Sequence, residues 1–206
     1  GTGSSGMQLI PEVAKSAKKL YILQRTPNYS VPAHNKSLDP DFVQEFKKNY
    51  KRNSADAKKL VSGFLTTYNK KSALEVTKKE LKKEYDRRWA AGGLAFLAAF
   101  SDITHNLDAN KTATQYIEDK IDEIVKNKKI SELLKPRSIV GCKRLVIESN
   151  YFDTFNRGNV ELINLKKTPI NLIRREGIDI EGIGDVDLDM IILATGFDAM
   201  TGALNN

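Results

Sequence analysis

The first six residues form a glycine-rich motif of the G-x-G-x-x-G type: Gly1, Thr2, Gly3, Ser4, Ser5 and Gly6. In such a loop the first glycine permits a tight turn, the second lets the backbone approach a pyrophosphate, and the third lets the following helix pack closely on the sheet. The pyrophosphate then accepts hydrogen bonds from free N–H groups at the helix N-terminus. The motif therefore predicts that these six residues bind a dinucleotide cofactor.

Two polar residues just downstream indicate which dinucleotide the loop would accept. The apolar run Leu20–Leu23 is typical of a short buried strand, and an NAD site would place an acidic residue directly after it. Here the chain has Arg25 and Thr26 instead. A guanidinium and a hydroxyl suit a 2′-phosphate, so the sequence predicts NADP rather than NAD.

A helix is expected between the loop and this strand, because apolar residues recur there at helical spacing: Met7, Ile10, Ala14 and Ala17. Pro11 lacks a backbone donor, so we expect it to kink or shorten that helix.

A Rossmann sheet also needs a central strand before the glycine loop, and none precedes Gly1. At the other end, the strand-like run Asp187–Leu193 comes shortly before the last residue. We therefore expect an α/β, Rossmann-like dinucleotide-binding domain that is truncated, in a fragment of a longer protein.

The middle of the sequence predicts a large helical insertion. Asp39 and Pro40 form a helix-start signal, Gly92-Gly93 marks a break, and Lys135-Pro136 ends the helical stretch. Apolar residues follow helical spacing between these points: Phe42, Phe46, Tyr50, Leu60, Phe64, Leu65, Leu74, Leu81, Tyr85, Trp89, Tyr116, Ile117, Ile121 and Ile124.

Strand patterns resume after the insertion, in Val160–Leu165, Ile170–Arg174 and Met190–Leu193. The predicted organisation is thus residues 1–38 as the first part of an NADP-binding Rossmann domain, 39–136 as the insertion, and 137–206 as the remainder of that domain.

Composition narrows the class of protein. The 206 residues include 33 Lys and Arg against 26 Asp and Glu, for a net charge of +7. The basic residues are interleaved with acidic ones and no nucleic-acid motif accompanies them, so we expect a solvated helix surface and no nucleic-acid partner. A basic helical nucleic-acid-binding module on a degenerate Rossmann scaffold remains an alternative.

The sequence has no apolar run of transmembrane length and no signal peptide, which predicts a cytoplasmic protein without a membrane partner. Its two histidines, His34 and His105, are too isolated to predict a metal site.

Several segments together resemble the flavin-dependent Baeyer–Villiger monooxygenases, in particular the cyclohexanone and phenylacetone monooxygenase-like enzymes. They are Gly1–Gly6, Gln24–Pro32, Arg87–Leu94, Gly141–Arg144, Tyr151–Arg157 and Ala194–Ala199, in the expected order along nearly the whole chain. The resemblance implies an oxidoreductase that depends on NADPH and FAD. This chain would be its NADP domain with the helical insertion. Because FAD would be bound mainly by a flanking domain, the fragment alone is expected to be inactive.

The resemblance also implies a reaction and roles for particular residues. A small-molecule ketone and O2 would react through a flavin peroxide to give an ester or lactone. Arg144 would be the catalytic cation that stabilises an oxyanion. Lys143 would face the other way and bind the 2′-phosphate. Thr195 and Gly196 follow a strand-like run, so they would either approach the cofactor or form a plain turn at the end of the strand. A related monooxygenase that oxidises nitrogen or sulfur remains an alternative, and the oligomeric state is left open.

Overall fold

The computed structural model describes residues 1–196. The Phe197, Asp198 and Ala199 positions of the last motif lie outside the described residues. In chain order the elements are α1 (Ser4–Ser16), β1 (Leu20–Gln24), β2 (Ser30–Pro32), α2 (Pro40–Lys48), α3 (Tyr50–Ala57), α4 (Lys78–Ala91), a 3-10 helix (Leu94–Ala98), α5 (Leu107–Ile124), α6 (Lys128–Leu134), β3 (Val146–Glu148), α7 (Tyr151–Thr154), β4 (Val160–Asn164), β5 (Ile170–Ile173), β6 (Gly177–Ile180) and β7 (Gly184–Asp187).

The strands form two parallel pairs and one antiparallel sheet. β1 pairs with β4, in a register that runs from Leu20 opposite Val160 to Gln24 opposite Asn164. β2 pairs in parallel with β3, and β5, β6 and β7 form an antiparallel meander. Parallel pairing requires long crossover connections, and the segments between these strands supply the helices. The predicted α/β class is therefore confirmed.

Helix α1 lies against β1, β3 and α7. It buries one apolar face, formed by Met7, Ile10 and Ala14. The prediction that Pro11 would shorten this helix was wrong, because the helix continues to Ser16. Pro11 is itself buried among these residues, and burial of an apolar face contributes more than the one backbone hydrogen bond that the proline removes.

The predicted helix start at Asp39-Pro40 and the predicted helix end before Lys135-Pro136 are confirmed. The Asp39 side chain caps α2 by accepting a hydrogen bond from the Asp41 N–H at 2.9 Å. Gly92, with φ of +73°, ends α4, and α6 ends at Leu134. Aromatic side chains from α4, from the 3-10 helix and the turn after it, and from α5 pack together in the core of this helical block: Tyr85, Trp89, Phe96, Phe100 and Tyr116.

Two parts of the helical block differ from prediction. Helix α3 ends at Ala57, and residues 58–77 are turns and irregular backbone, so the predicted helix through Leu60, Phe64, Leu65 and Leu74 was wrong. This stretch contains three Thr, two Ser, one Asn and one Gly, which favour turns over helix. The helix predicted through Phe42 and Phe46 is confirmed as α2. Both side chains are exposed, however, and 57% of the Phe42 surface is accessible to solvent.

The predicted strand at Met190–Leu193 is also absent from the described structure. β7 ends at Asp187, and residues 189–196 form no ladder with a described strand. They border a largely apolar groove of about 800 Å³ whose other walls include α1 and β1. A segment of strand-like composition becomes a strand only when a neighbouring strand supplies hydrogen-bond partners, and no described strand pairs with this one.

Candidate cofactor-binding site

The glycine loop leads directly into α1. Gly3 is the N-cap residue, with extended backbone at φ −87° and ψ −167°. The first helical bond runs from the Met7 N–H to the Gly3 carbonyl at 2.8 Å. The N–H groups of Ser4, Ser5 and Gly6 therefore have no hydrogen-bond acceptor within the helix. Together with the helix dipole they form a binding surface for an anion.

The three glycines of the loop meet different surroundings. A Cβ atom on Gly6 would lie 2.1 Å from the Gly1 carbonyl oxygen, and one on Gly1 would lie 2.2 Å from the Ala194 carbonyl oxygen. A Cβ on Gly3 would meet no described atom within 4 Å. Gly6 thus makes room for the loop's own backbone rather than for the sheet, contrary to the role predicted for it. Gly3 leaves open space of the kind that a close approach to a phosphate needs.

Thr2 faces the protein interior. Its side chain is buried, and its hydroxyl lies 3.2 Å from both the Gln24 Oε1 and the Thr26 carbonyl oxygen. The Asn28 side-chain amide donates to the Thr2 carbonyl at 3.0 Å. The side chain predicted to bind the cofactor is therefore engaged in fixing the loop, and of the Thr2 backbone the N–H remains as a donor for a ligand.

These same bonds bring Arg25 and Thr26 beside the glycine loop. Both residues are exposed and directly follow β1. Because the Thr26 carbonyl and the Thr2 hydroxyl are in contact, the two segments predicted to hold the pyrophosphate and the 2′-phosphate lie next to each other at the end of β1.

Lys143 and Arg144 lie in an exposed turn just before β3. The Val146 N–H donates to the Tyr29 carbonyl at 3.1 Å, which joins this turn to the segment that contains Arg25 and Thr26. Within residues 1–196 neither cation forms an ion pair, so both charges are available to a ligand. Gly141 opens the turn with φ of +89°, a conformation that favours glycine.

Thr195 and Gly196 are exposed and follow Ala194, whose carbonyl faces Gly1. Gly196 has φ of +95°. The structure thus brings the last predicted binding segment to the start of the glycine loop. Within residues 1–196, no cluster of His, Cys, Asp and Glu could hold a metal ion, and none of the helices has the length and apolar character to cross a membrane.

One buried acid near this site was not predicted from the sequence. Glu148 is buried at the end of β3 and accepts a hydrogen bond from the Tyr151 N–H at 2.6 Å. Burial raises its pKa above the usual range, and the Tyr151 N–H and the nearby His34 oppose that shift only in part. A glutamate at the end of a short apolar run carries no signal that would distinguish it from a surface residue.

We expect Glu148→Gln to make stability less dependent on pH, since glutamine keeps an acceptor for the Tyr151 N–H. The folded pKa of Glu148 lies above its ordinary value of 4.5. Its contribution to stability is therefore complete below pH 4.5 and is lost as the pH rises through the folded pKa. Each pKa unit corresponds to about 1.4 kcal/mol. Urea unfolding of parent and variant across this window measures the effect. A difference in unfolding free energy that stays constant with pH would contradict the assignment.

Comparisons with known proteins identify the chain's relatives. The cyclohexanone 1,2-monooxygenase of Acinetobacter sp. is 39% identical over 204 residues, which cover 98% of this chain and 37% of that enzyme. A Baeyer–Villiger monooxygenase of Pseudooceanicola batsensis is 35% identical, over 98% of this chain and 37% of its own length. Among solved structures, an oxidized steroid monooxygenase bound to NADP matches with a TM-score of 0.94 and 45% identity, over 100% of this chain and 39% of that one. No family model matches the chain.

The matches extend along almost the whole chain, whereas the chain spans about 37% of the length of these curated relatives. Sequence identity and three-dimensional similarity agree, and both lead to the family whose motifs the sequence resembles. Along almost its whole length the chain is therefore homologous to part of the Baeyer–Villiger monooxygenases, and the resemblance of its motifs to that family is confirmed.

Proposed function

We propose that this chain is the NADPH-binding part of a flavoprotein monooxygenase that uses O2 to convert ketones to esters or lactones. One observation carries the proposal: the glycine loop at the start of α1 lies against the Arg25-Thr26 segment, with the Thr2 hydroxyl 3.2 Å from the Thr26 carbonyl oxygen. One ligand with a pyrophosphate and a 2′-phosphate could engage both. The ketone monooxygenases among the relatives support the reaction and the class of substrate.

The residues at the site suit NADP. The three N–H groups at the start of α1 supply donors for a pyrophosphate, and Gly3 leaves the space that it needs. Arg25, Thr26 and Lys143 are exposed on the adjoining segments and supply two cations and a hydroxyl for the 2′-phosphate. Charge-assisted hydrogen bonds to a phosphate are the stronger kind, so these groups favour NADP over NAD.

Arg144 has a different role in this proposal. Its guanidinium stays charged at any working pH and presents several donors in one plane. Placed at the ketone, it stabilises the negative charge that develops on oxygen during the reaction. FAD, when bound by the rest of the enzyme, supplies the oxygen-transfer chemistry. The residues of this chain bind and orient NADPH and supply the fixed positive charge.

The phosphate assignment predicts that Arg25→Ala and Lys143→Ala each raise the KM for NADPH about 10–100-fold in the FAD-loaded holoenzyme. Each change removes a charge-assisted contact of about 1.5–3 kcal/mol. The KM for NADH should change little, because NADH has no 2′-phosphate. Steady-state kinetics with both cofactors measure the difference.

Lys15→Ala is a matched control, because Lys15 is an exposed cation in the last turn of α1, paired with Glu12. It should leave both KM values unchanged. Discrimination between NADPH and NADH that survives both Arg25→Ala and Lys143→Ala would overturn the phosphate site.

Turnover by the same holoenzyme should also be measured with a ketone, an amine and a thioether as substrates. Turnover of the amine or thioether without the ketone would favour the nitrogen- or sulfur-oxidising alternative.

A further inference from the structure

Gln24 is a buried amide at an unusual position. It is the last residue of β1, is only 2% exposed, and shares the buried face of that strand with Ile22. Burying an amide group without hydrogen bonds costs about 1–3 kcal/mol. A residue of this kind at the end of an apolar strand therefore needs partners, and Gln24 has them in two different parts of the molecule.

The two partners of Gln24 fix the orientation of its side chain. Its Nε2 donates to the Leu133 carbonyl at 2.8 Å. A carbonyl can only accept, so the amide nitrogen must face Leu133 and the amide oxygen must face Thr2. The Thr2 hydroxyl lies 3.2 Å from that oxygen and from the Thr26 carbonyl, and these two acceptors share its single proton. The amide thus connects the glycine loop to the end of α6.

Both ends of this connection are anchored. The Leu133 carbonyl is one of the last four of α6, which have no partner within the helix. Helix α6 is held to α5, because the Ser131 hydroxyl and the Lys135 ammonium both contact the Asp122 carboxylate. At the other end, the bond from the Asn28 amide to the Thr2 carbonyl, together with the contact of the Thr2 hydroxyl with the Thr26 carbonyl, holds the glycine loop against the segment after β1.

We propose that Gln24 is a positioning residue that sets the spacing between the pyrophosphate loop and the 2′-phosphate segment, with α6 as its fixed point. This inference rests on the proposed function. Gln24 is buried and does not touch the cofactor. It acts through Thr2, and it makes the position of the helical block part of the cofactor site.

The proposal separates ligands by how many of the two segments they engage. A ligand with both phosphates gains from binding two segments held at the right distance, whereas a ligand with one phosphate does not depend on that distance. NADP⁺ spans both segments. Adenosine 2′-monophosphate reaches only Arg25-Thr26, and ADP reaches only the glycine loop.

The test is direct binding of these three ligands to the FAD-loaded holoenzyme, by calorimetry, with Gln24→Met and Thr2→Val. Both variants keep the approximate side-chain volume and remove the hydrogen bond between the two residues. We expect a loss of about 10-fold in NADP⁺ affinity, within the usual range for coupling between sites. Adenosine 2′-monophosphate and ADP should each lose less than about 3-fold, since each needs only one segment.

Gln8→Met is the matched control, because Gln8 is an exposed glutamine on α1 whose amide lies 3.4 Å from the Ile147 carbonyl. It should bind all three ligands as the parent does. An equal loss for all three ligands in Gln24→Met and Thr2→Val would show a merely structural role and overturn the inference. If Gln24→Met fails to fold, Thr2→Val alone decides between these outcomes. A parent holoenzyme that binds none of the three ligands would instead overturn the proposed function.

Discussion

Arg144→Ala is expected to lower the rate of ester or lactone formation about 100–1000-fold in the holoenzyme, the usual cost of removing one fixed stabiliser of a developing oxyanion. The rate of flavin reduction by NADPH should remain close to that of the parent, because hydride transfer creates no oxyanion at the ketone. The structure makes this guanidinium available, since it is exposed in the turn before β3 and has no ion pair within residues 1–196. Measured on the same preparation, the rate of flavin reduction in stopped flow should therefore stay unchanged while the rate of steady-state ketone turnover falls.

Two further variants sharpen this test. Arg144→Lys should restore only part of the turnover, because an ammonium cannot reproduce the planar set of donors. Arg137→Ala removes an exposed arginine that pairs with Glu132 at 3.4 Å, and it should leave turnover unchanged. Ketone turnover at the parental rate in Arg144→Ala would exclude Arg144 as the catalytic cation.

Arg88→Met should destabilise the helical block by about 3 kcal/mol, because it removes a buried donor from three carbonyl groups, of which only Ala98 is seen to keep another donor outside the helices, the Asn69 N–H. Arg88 is only 3% exposed and lies on the inner face of α4. Its guanidinium donates to the carbonyls of Ala95, Thr67 and Ala98, at 3.2, 2.6 and 3.0 Å, and its Nε donates to Glu84 at 2.8 Å. One side chain thus ties the irregular segment after α3 and the 3-10 helix to α4. Urea unfolding, followed by the fluorescence of Trp89, measures the loss.

The neighbouring Arg87 provides the control. It binds the same carboxylate of Glu84, but its side chain is largely exposed. Arg87→Met should therefore cost no more than about 1 kcal/mol, as expected for a surface ion pair. Equal losses for the two variants would show that the buried carbonyl contacts of Arg88 contribute little.

The sequence predicted those elements that have local signals. Asp39 and Pro40 mark the start of α2 within two residues, and the spacing of Tyr116, Ile117 and Ile121 defines one face of α5. The glycine loop was predicted for the same reason, because its residues are consecutive. In each case the residues that determine the element lie within a few positions of one another.

The sequence did not predict features whose cause is distant along the chain. Gln24 and Leu133 are separated by 109 residues, and nothing near either residue indicates that they meet. The segment Met190–Leu193 has the composition of a strand, yet strand formation depends on a neighbour that composition does not reveal. Arg88 resembles its surface neighbour Arg87 in sequence, and only the folded packing of α4 distinguishes them.

The steric environment of the glycine loop also defines which positions a protein engineer could vary. Gly1 and Gly6 have backbone oxygens where any side chain would begin, so a library that randomises them would consist almost entirely of misfolded members. Ser4 and Ser5 are exposed on the first turn of α1 and tolerate diversity. Attempts to evolve this scaffold toward NADH are best confined to those two positions together with Arg25 and Thr26, within the loop geometry that the glycines impose.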